Sequence, residues 1–316
     1  MRFAWTDDQL SFRDAARDLL AKECDPAAVR AAWTAPAGAL DRGVWAALEA
    51  MGVLAVLVPE ADGGLGLDER FLVPVVEESG RAALAHPLVE TALVGAPLGL
   101  TGMVATDLGG PLVPCAADAE VLLVHRDGVL RAHRPDEVVL EPVATVDGAR
   151  RAARVEPTGA GTLVADDPGV VALAFDRGAL GVAAQLVGLC RAMLDLTVAY
   201  VVQRQQFGVP IGSFQAVKHH LADALLAVEL AAPAVARAAD SVARDVPERT
   251  RDVSMAKAMA TDAADVTGRA ALQCHGAIGY TVEHDLHLYL KRSWALARSW
   301  GDRSFHADRV ADAIGA

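Results

Sequence analysis

The residues best equipped for chemistry run from Arg204 to Gln215, reading Arg-Gln-Gln-Phe-Gly-Val-Pro-Ile-Gly-Ser-Phe-Gln. Arg204 carries a permanent forked cation that suits a phosphate. Gly208 and Gly212 let backbone come close to a ligand, and Phe207 offers an apolar face to an aromatic ring. The combination fits a phosphorylated aromatic ligand, and fits equally a plain loop between two helices. Two further glycine-rich pieces are Gln273-Cys274-His275-Gly276-Ala277-Ile278-Gly279-Tyr280 and Pro59-Glu60-Ala61-Asp62-Gly63-Gly64-Leu65-Gly66-Leu67. Metal chemistry is not expected. His219 and His220 are adjacent and diverge on a helix, while His284 and His287 share a face without a carboxylate or thiol to complete a site. Cys24, Cys115, Cys190 and Cys274 occur singly, as reduced thiols do.

These pieces need elements to hold them. Thr6, followed by Asp7, Asp8 and Gln9, forms a capping box for a helix whose apolar positions are Leu10, Phe12, Ala16, Leu19 and Leu20. Pro26 marks a boundary or a fresh helix start, and a helix over residues 43–51 ends at Gly52. Another begins near Leu67, includes Glu77-Glu78 and stops around Gly80, and residues 86–100 make one more. Short β-like runs then appear at 121–124, 138–140 and 153–155, with Arg126-Asp127-Gly128 as a hairpin turn, so a small antiparallel β domain is expected. Beyond Pro168 the periodicity is helical again, over 180–202, 215–244, 250–274 and from 282 towards 297, which predicts an antiparallel four-helix bundle. The chain therefore reads as mostly α, with an α-helical domain at 1–101, a reduced β domain at 102–167 and the bundle at 168–316. The Arg204 segment joins the first two bundle helices.

Composition sets the outer limits. Of 316 residues, 53% are hydrophobic and only 5% aromatic, which favours a folded core of packed helices. A formal charge of −12 excludes a nucleic-acid binder, which needs a basic face. It leaves room for a polyanionic cofactor held by a few arginines. The amino terminus, Met1 to Trp5 followed by Asp7 and Asp8, lacks the basic-then-apolar pattern of a secretory signal. The apolar stretch 180–202 contains Gln185, Arg191 and Asp195, so it reads as a bundle helix and not a membrane span. A cytoplasmic protein without membrane insertion is expected.

The 204–215 segment resembles the RxxFGxxxxxFQ signature of the acyl-CoA dehydrogenases. Residues 273–280 resemble their QxxGGxGY signature, with alanine replacing the second glycine. Pro59 to Leu67 resembles their PExYGGLGL loop, and Glu77-Glu78-Ser79-Gly80 their EELG helix end. The four matches fall in family order over most of the chain. The resemblance implies FAD at a subunit interface. Arg204, Gln206 and Phe207, with Gly208 and Gln215 of the same signature, match positions on the arm that reaches a neighbouring subunit's FAD. Gln273, Gly276 and Ala277 match the stretch over its adenosine-diphosphate portion. The implied reaction is α,β-dehydrogenation of an acyl-CoA: a glutamate takes the α-proton, the β-hydrogen leaves as hydride, and an electron-transfer flavoprotein or similar acceptor follows.

Two family positions for that glutamate can be aligned. One falls on Trp300, preceded by Ser299 and followed two residues on by Asp302. The other falls on Gly178-Ala179, just after Asp176 and Arg177. Neither holds a carboxylate, so no catalytic residue is assigned to this chain. The family's TEPxAGSD flavin loop survives only as Thr106-Asp107-Leu108-Gly109-Gly110-Pro111. Such losses resemble the short β-type subunits of actinobacterial heteromeric acyl-CoA dehydrogenases that act in steroid or other bulky acyl-CoA breakdown; residues 147–155 and 283–289 look like that group too. The implied partner is a catalytic acyl-CoA dehydrogenase subunit in an α2β2 assembly. Two other readings stand beside it: a self-sufficient homo-oligomeric dehydrogenase using Asp302 or Asp176, and a non-enzymatic scaffold that stabilises a partner.

Overall fold

The computed structural model describes residues 5–315, so Met1 to Ala4 of the amino-terminal stretch lie outside the described residues. Helix α1 (Asp7–Glu23) opens on both halves of the expected capping box. Thr6 N–H donates to Gln9 Oε1 at 2.9 Å, and Gln9 N–H to Thr6 Oγ1 at 3.3 Å. Helix α2 (Pro26–Thr34) begins with proline in its first turn behind the Asp25 cap, where a missing N–H costs nothing. Helices α3 (Arg42–Ala50) and α4 (Glu69–Arg81) follow. The helix expected over 86–100 is instead a π-helical segment, Val89–Gly95, continuing as a 3-10 turn, Ala96–Leu98. Pro97 has no N–H to prolong a regular helix.

The β region comprises β1 (Val104–Thr106), β2 (Val121–Arg126), β3 (Val129–His133), β4 (Val138–Pro142), β5 (Ala153–Pro157) and β6 (Thr162–Ala165). One sheet has the order β1-β2-β3-β6, and β4-β5 form a separate ribbon. Asp127 and Gly128, at φ 51° and 78°, turn the β2–β3 hairpin as expected. The sheet is mixed rather than antiparallel, because β1 runs parallel to β2. A chain leaving the helical region along β1 must cross over before β2, and strand propensity alone carries no direction.

Helix α5 (Pro168–Gln203) starts well before the predicted residue 180, capped by Asp167 with proline in its first turn. After the two-residue strands β7 (Gln205–Gln206) and β8 (Val209–Pro210) come α6 (Gln215–Ala243), α7 (Arg249–His275), α8 (Leu286–Arg298) and α9 (Arg303–Ile314). The bundle thus has a fifth helix, α9, which packs on α7. Helix α5 is long and apolar enough to cross a membrane. Here residues 178–190 are all buried, against α4, α6, α7 and α8.

What places α5 so deeply is a backbone contact. A Cβ at Gly188 would stand 1.9 Å from the carbonyl oxygen of Glu77, and one at Gly80 would stand 2.2 Å from that of Gln185. Helices α4 and α5 therefore meet main chain to main chain. Around the crossing, Gln185 donates to Ser79 Oγ at 3.1 Å, and Arg191 and Arg177 pair with Glu77 and Glu69 at 2.9 and 2.7 Å. Gly188→Ala should force the helices apart and cost ~3 kcal/mol, the upper end of overpacking effects. Gly159→Ala, where nothing lies within 4 Å, should change stability by less than ~0.5 kcal/mol. Denaturant unfolding of both variants checks the contrast.

Candidate functional site

Two surfaces matter, at opposite ends of α5. At the carboxyl end, Arg204 leaves the helix in an extended conformation. Its N–H donates to Tyr200 O at 2.9 Å, and its carbonyl accepts from Ile211 N–H at 2.8 Å, which fixes the base of the β7–β8 arm. Phe207 and Gly208, at φ 54° and 80°, form the tip. The Arg204 side chain is exposed and takes no ion pair among the described residues. Phe207 is 93% exposed, with Phe214 edge-on at 6.2 Å. Gln206, Gly208 and Gln215 are exposed as well. Apolar side chains of the flanking helices stand open beside them in sequence: Val198 and Val202 on α5, and Leu225, Leu226 and Leu230 on α6.

Gln273, Gly276 and Ala277 are exposed where α7 ends. Gly276 sits at φ 65° with open space on its Cβ side, so bare backbone faces outward. A link that the sequence reading missed joins this turn to the arm. Tyr200, one helical turn before Arg204, stacks on His275 with ring centroids 4.4 Å apart, and its hydroxyl donates to His275 O at 3.4 Å. His284 closes on His275 edge-on at 4.5 Å. The signal available in the sequence was Tyr200 lying four residues before Arg204, on one face of the same helix. Burial holds His275, His284 and His287 below the ordinary imidazole range. Among the described residues no cluster of His, Cys, Asp or Glu could hold a metal.

At the other end, the two aligned base positions meet. Trp300 is 2% exposed and sits at φ 57°, a left-handed conformation rare for a bulky residue. Its indole covers Gly178 so closely that a Cβ there would come within 2.3 Å. It lies equally against Gly109 of the Thr106–Pro111 stretch, where a Cβ would come within 2.5 Å. Trp300 N–H donates to Gly109 O at 2.7 Å. One indole thus fills the junction of the three segments. Beside it, burial raises the Glu90 carboxyl above its usual range, opposed by the nearby Arg150 cation and a hydrogen bond to the Trp300 side chain.

The turn that carries Trp300 is tied from several sides. Arg150 donates to Ser299 Oγ at 2.8 Å. Lys257, fully buried on α7, donates to Ala297 O and Gly301 O at 3.1 and 3.0 Å, and burial pushes its ammonium down to about 7. His306 Nε2 donates to Trp300 O at 2.7 Å, so Nδ1 accepts from the Ser254 hydroxyl at 3.1 Å. The two aspartates considered as substitute bases are engaged elsewhere. Asp302 caps α9 by accepting from Phe305 N–H at 2.9 Å. Asp176 is wholly buried, pairing with Arg249 at 3.0 Å and Arg309 at 2.8 Å and accepting from Thr250 at 2.9 Å.

Helices flanking a small β region, an exposed arm, and a glycine turn beside that arm define the class. Two solved structures share this architecture over nearly the whole chain. The ChsE4-ChsE5 complex from Mycobacterium tuberculosis matches with a TM-score of 0.89 at 22% identity, covering 100% of this chain and 99% of that one. The Tcur3481-Tcur3483 steroid ACAD G363A variant matches with a TM-score of 0.84 at 24% identity, covering 98% of each. Sequence supplies the family. The acyl-CoA dehydrogenase N-terminal domain model matches residues 6–106, and the C-terminal domain model residues 169–315. Acyl-CoA dehydrogenase IpdE2 of Mycobacterium tuberculosis is 35% identical over 309 residues, 92% of either chain. The chain belongs to the acyl-CoA dehydrogenase family.

The tied turn makes a pH prediction. Burial depresses His306 from 6.5 to about 4. The unfolded chain therefore takes up this proton first, so the contribution is intact above pH 6.5 and is lost as pH falls towards 4. The loss is on the order of 3 kcal/mol. His306→Gln, which can still donate to Trp300 O, should flatten that part of the stability profile, as followed by urea midpoints from pH 7 to 4.

Proposed function

We propose that this chain is the base-lacking subunit of a heteromeric FAD-dependent acyl-CoA dehydrogenase. In this reading it lends the Arg204 arm and the Gly276 turn to a flavin held mainly by a longer, catalytic partner, in an α2β2 assembly built from the three domains 1–101, 102–167 and 168–316. The observation that carries it is Trp300: its indole occupies the space between Gly178 and Gly109, where both alternative bases would have to act. No acyl group and carboxylate can share that volume. Asp176 and Asp302 are committed to ion pairs and a helix cap, which weighs against the self-sufficient reading.

The exposed residues fit the cofactor. Arg204 offers uncommitted forked donors for a pyrophosphate, and Gly276 offers unshielded backbone beside it. Gln206, Gly208, Gln215, Gln273 and Ala277 would complete the surface, with Phe207 covering a flat ring. When bound, FAD supplies the two-electron acceptor that side chains lack. This chain's own work is to neutralise the phosphates, to orient the cofactor, and to keep water and substrate out of the Trp300 junction. Two structural relatives, one named as the ChsE4-ChsE5 complex and the other as the Tcur3481-Tcur3483 steroid ACAD, support a heteromer acting on a bulky acyl-CoA. An electron-transfer flavoprotein or similar acceptor, in the cytoplasm, would take the electrons.

The test is co-expression with a longer homologue that carries the missing glutamate, followed by flavin quantification. The complex should hold FAD and the isolated chain little. A stoichiometric yellow homo-oligomer of this chain alone would overturn the proposal. Arg204→Ala should weaken FAD retention in the complex ten- to a hundredfold, the loss of one charge-assisted contact of ~1.5–3 kcal/mol. Asp302→Asn should leave turnover near wild type, whereas losing a true base typically costs ~10²–10⁴-fold.

A further inference from the structure

The turn that follows α7, residues 276–285, is held from three sides. From the N-terminal helices, Arg30 of α2 donates to Asp285 Oδ1 and Val282 O, both at 2.7 Å, and to Glu283 O at 3.4 Å. From α5, the Tyr200 ring stacks on His275, the last residue of α7. The third hold is His284, whose ring stands edge-on to His275 at 4.5 Å and to Tyr200 at 5.8 Å. Its Nδ1 accepts the Leu286 N–H at 3.1 Å. Leu286 opens α8, and Asp285 before it makes no side-chain cap. An imidazole nitrogen thus takes the place of a capping oxygen at this helix start.

These contacts fix protonation states. A backbone N–H pointing at His284 Nδ1 requires that nitrogen to be bare, so the ring is neutral in this geometry. A proton on Nδ1 would set two donors against each other and break the contact. His275 is constrained in the opposite sense. Its Nδ1 donates to Ala271 O at 2.8 Å, and its buried Nε2 has no hydrogen-bond partner, so a second proton there would find no acceptor. Burial holds both rings below the ordinary imidazole range. Around His284, Asp285 favours a proton and Arg30 opposes one, while a charge on His284 opposes one on His275. His287 of α8 has Lys291 and Arg30 against its own charge as well. His284, less buried than His275 and next to Asp285, is the ring that charges first.

We propose that His284 is a proton-operated latch on the Gly276 turn: neutral, it caps α8 and holds the turn against the arm helix; protonated, it releases Leu286 N–H, repels His275 and frees the turn from Tyr200. The consequence for a pyrophosphate at Gly276 rests on the FAD reading above. The latch itself belongs to this chain and is tested without cofactor. Opening restores the ordinary imidazole affinity for a proton, near pH ~6.5. The turn is therefore closed above that pH and opens progressively below it, the opening constant rising up to about tenfold per pH unit. Amide hydrogen exchange of the full chain, from about pH 8 to 5 and corrected for intrinsic rates, reads this at Leu286 and at Thr281, which donates to Ile278 O. Val187, in the buried middle of α5, reports global unfolding. Leu286 and Thr281 should lose protection with that slope, in step with the His284 imidazole signal in NMR, while Val187 stays protected. His284→Asn, whose carboxamide oxygen accepts from Leu286 N–H but takes up no proton, should lose the pH dependence and stay closed. His284→Ala should leave both amides open throughout the range. The proposal is overturned if both amides keep their protection while His284 titrates, if His284→Asn opens with the wild-type slope, or if His284→Ala stays closed.

Discussion

The structure depends on the meeting of α4 and α5 at Gly80 and Gly188. Side chains cannot intervene where a carbonyl oxygen of one helix occupies the place of a Cβ on the other. That contact seats α5 along the middle of the bundle, and α5 then carries both features of interest. Gly178 near one end lies under the Trp300 indole, and Arg204 leaves the other end. At ~1.5 Å per residue the two are roughly 39 Å apart. One long helix thus separates the exposed arm from the filled junction.

The filled junction is held from several sides. The space is occupied by a buried aromatic in a left-handed conformation, backed by Arg150 on Ser299, Lys257 on two carbonyls and His306 on a third. Backbone strain of this kind persists only where the surroundings over-determine it. The Asp176 cluster adds to the same rigidity. A wholly buried carboxylate shared by Arg249 and Arg309 is costly to break, because an uncompensated charge would remain. Residues next to the family's catalytic positions thus serve here as anchors for α7 and α9.

How much of this the sequence disclosed follows from what is local. The Thr6 capping box, the Asp127-Gly128 turn and the arm from Arg204 are short stretches whose physics lies within a few neighbours, and each was legible. The start of α5 was not, because Asp176, Arg177 and Gly178 interrupt the apolar run before residue 180. Nor was α9, whose His306 and Arg309 read as surface until Trp300 O and Asp176 are placed opposite them. The direction of β1 depends on a connection and not on composition. Trp300 stood out in the sequence only as the wrong residue for a base. That it fills the junction required Gly109, Gly178 and residue 300 to be brought together from three distant segments.

The arm also bears on how such a chain survives in a cell. Phe207 and Phe214, together with Leu225, Leu226 and Leu230, hold apolar surface in water at a cost to solubility. A copy released from the ribosome with that surface uncovered is a substrate for chaperones and proteases, and it can adhere to other chains through it. Its steady-state abundance then depends on how fast that surface is covered, and uncovered copies are lost to turnover.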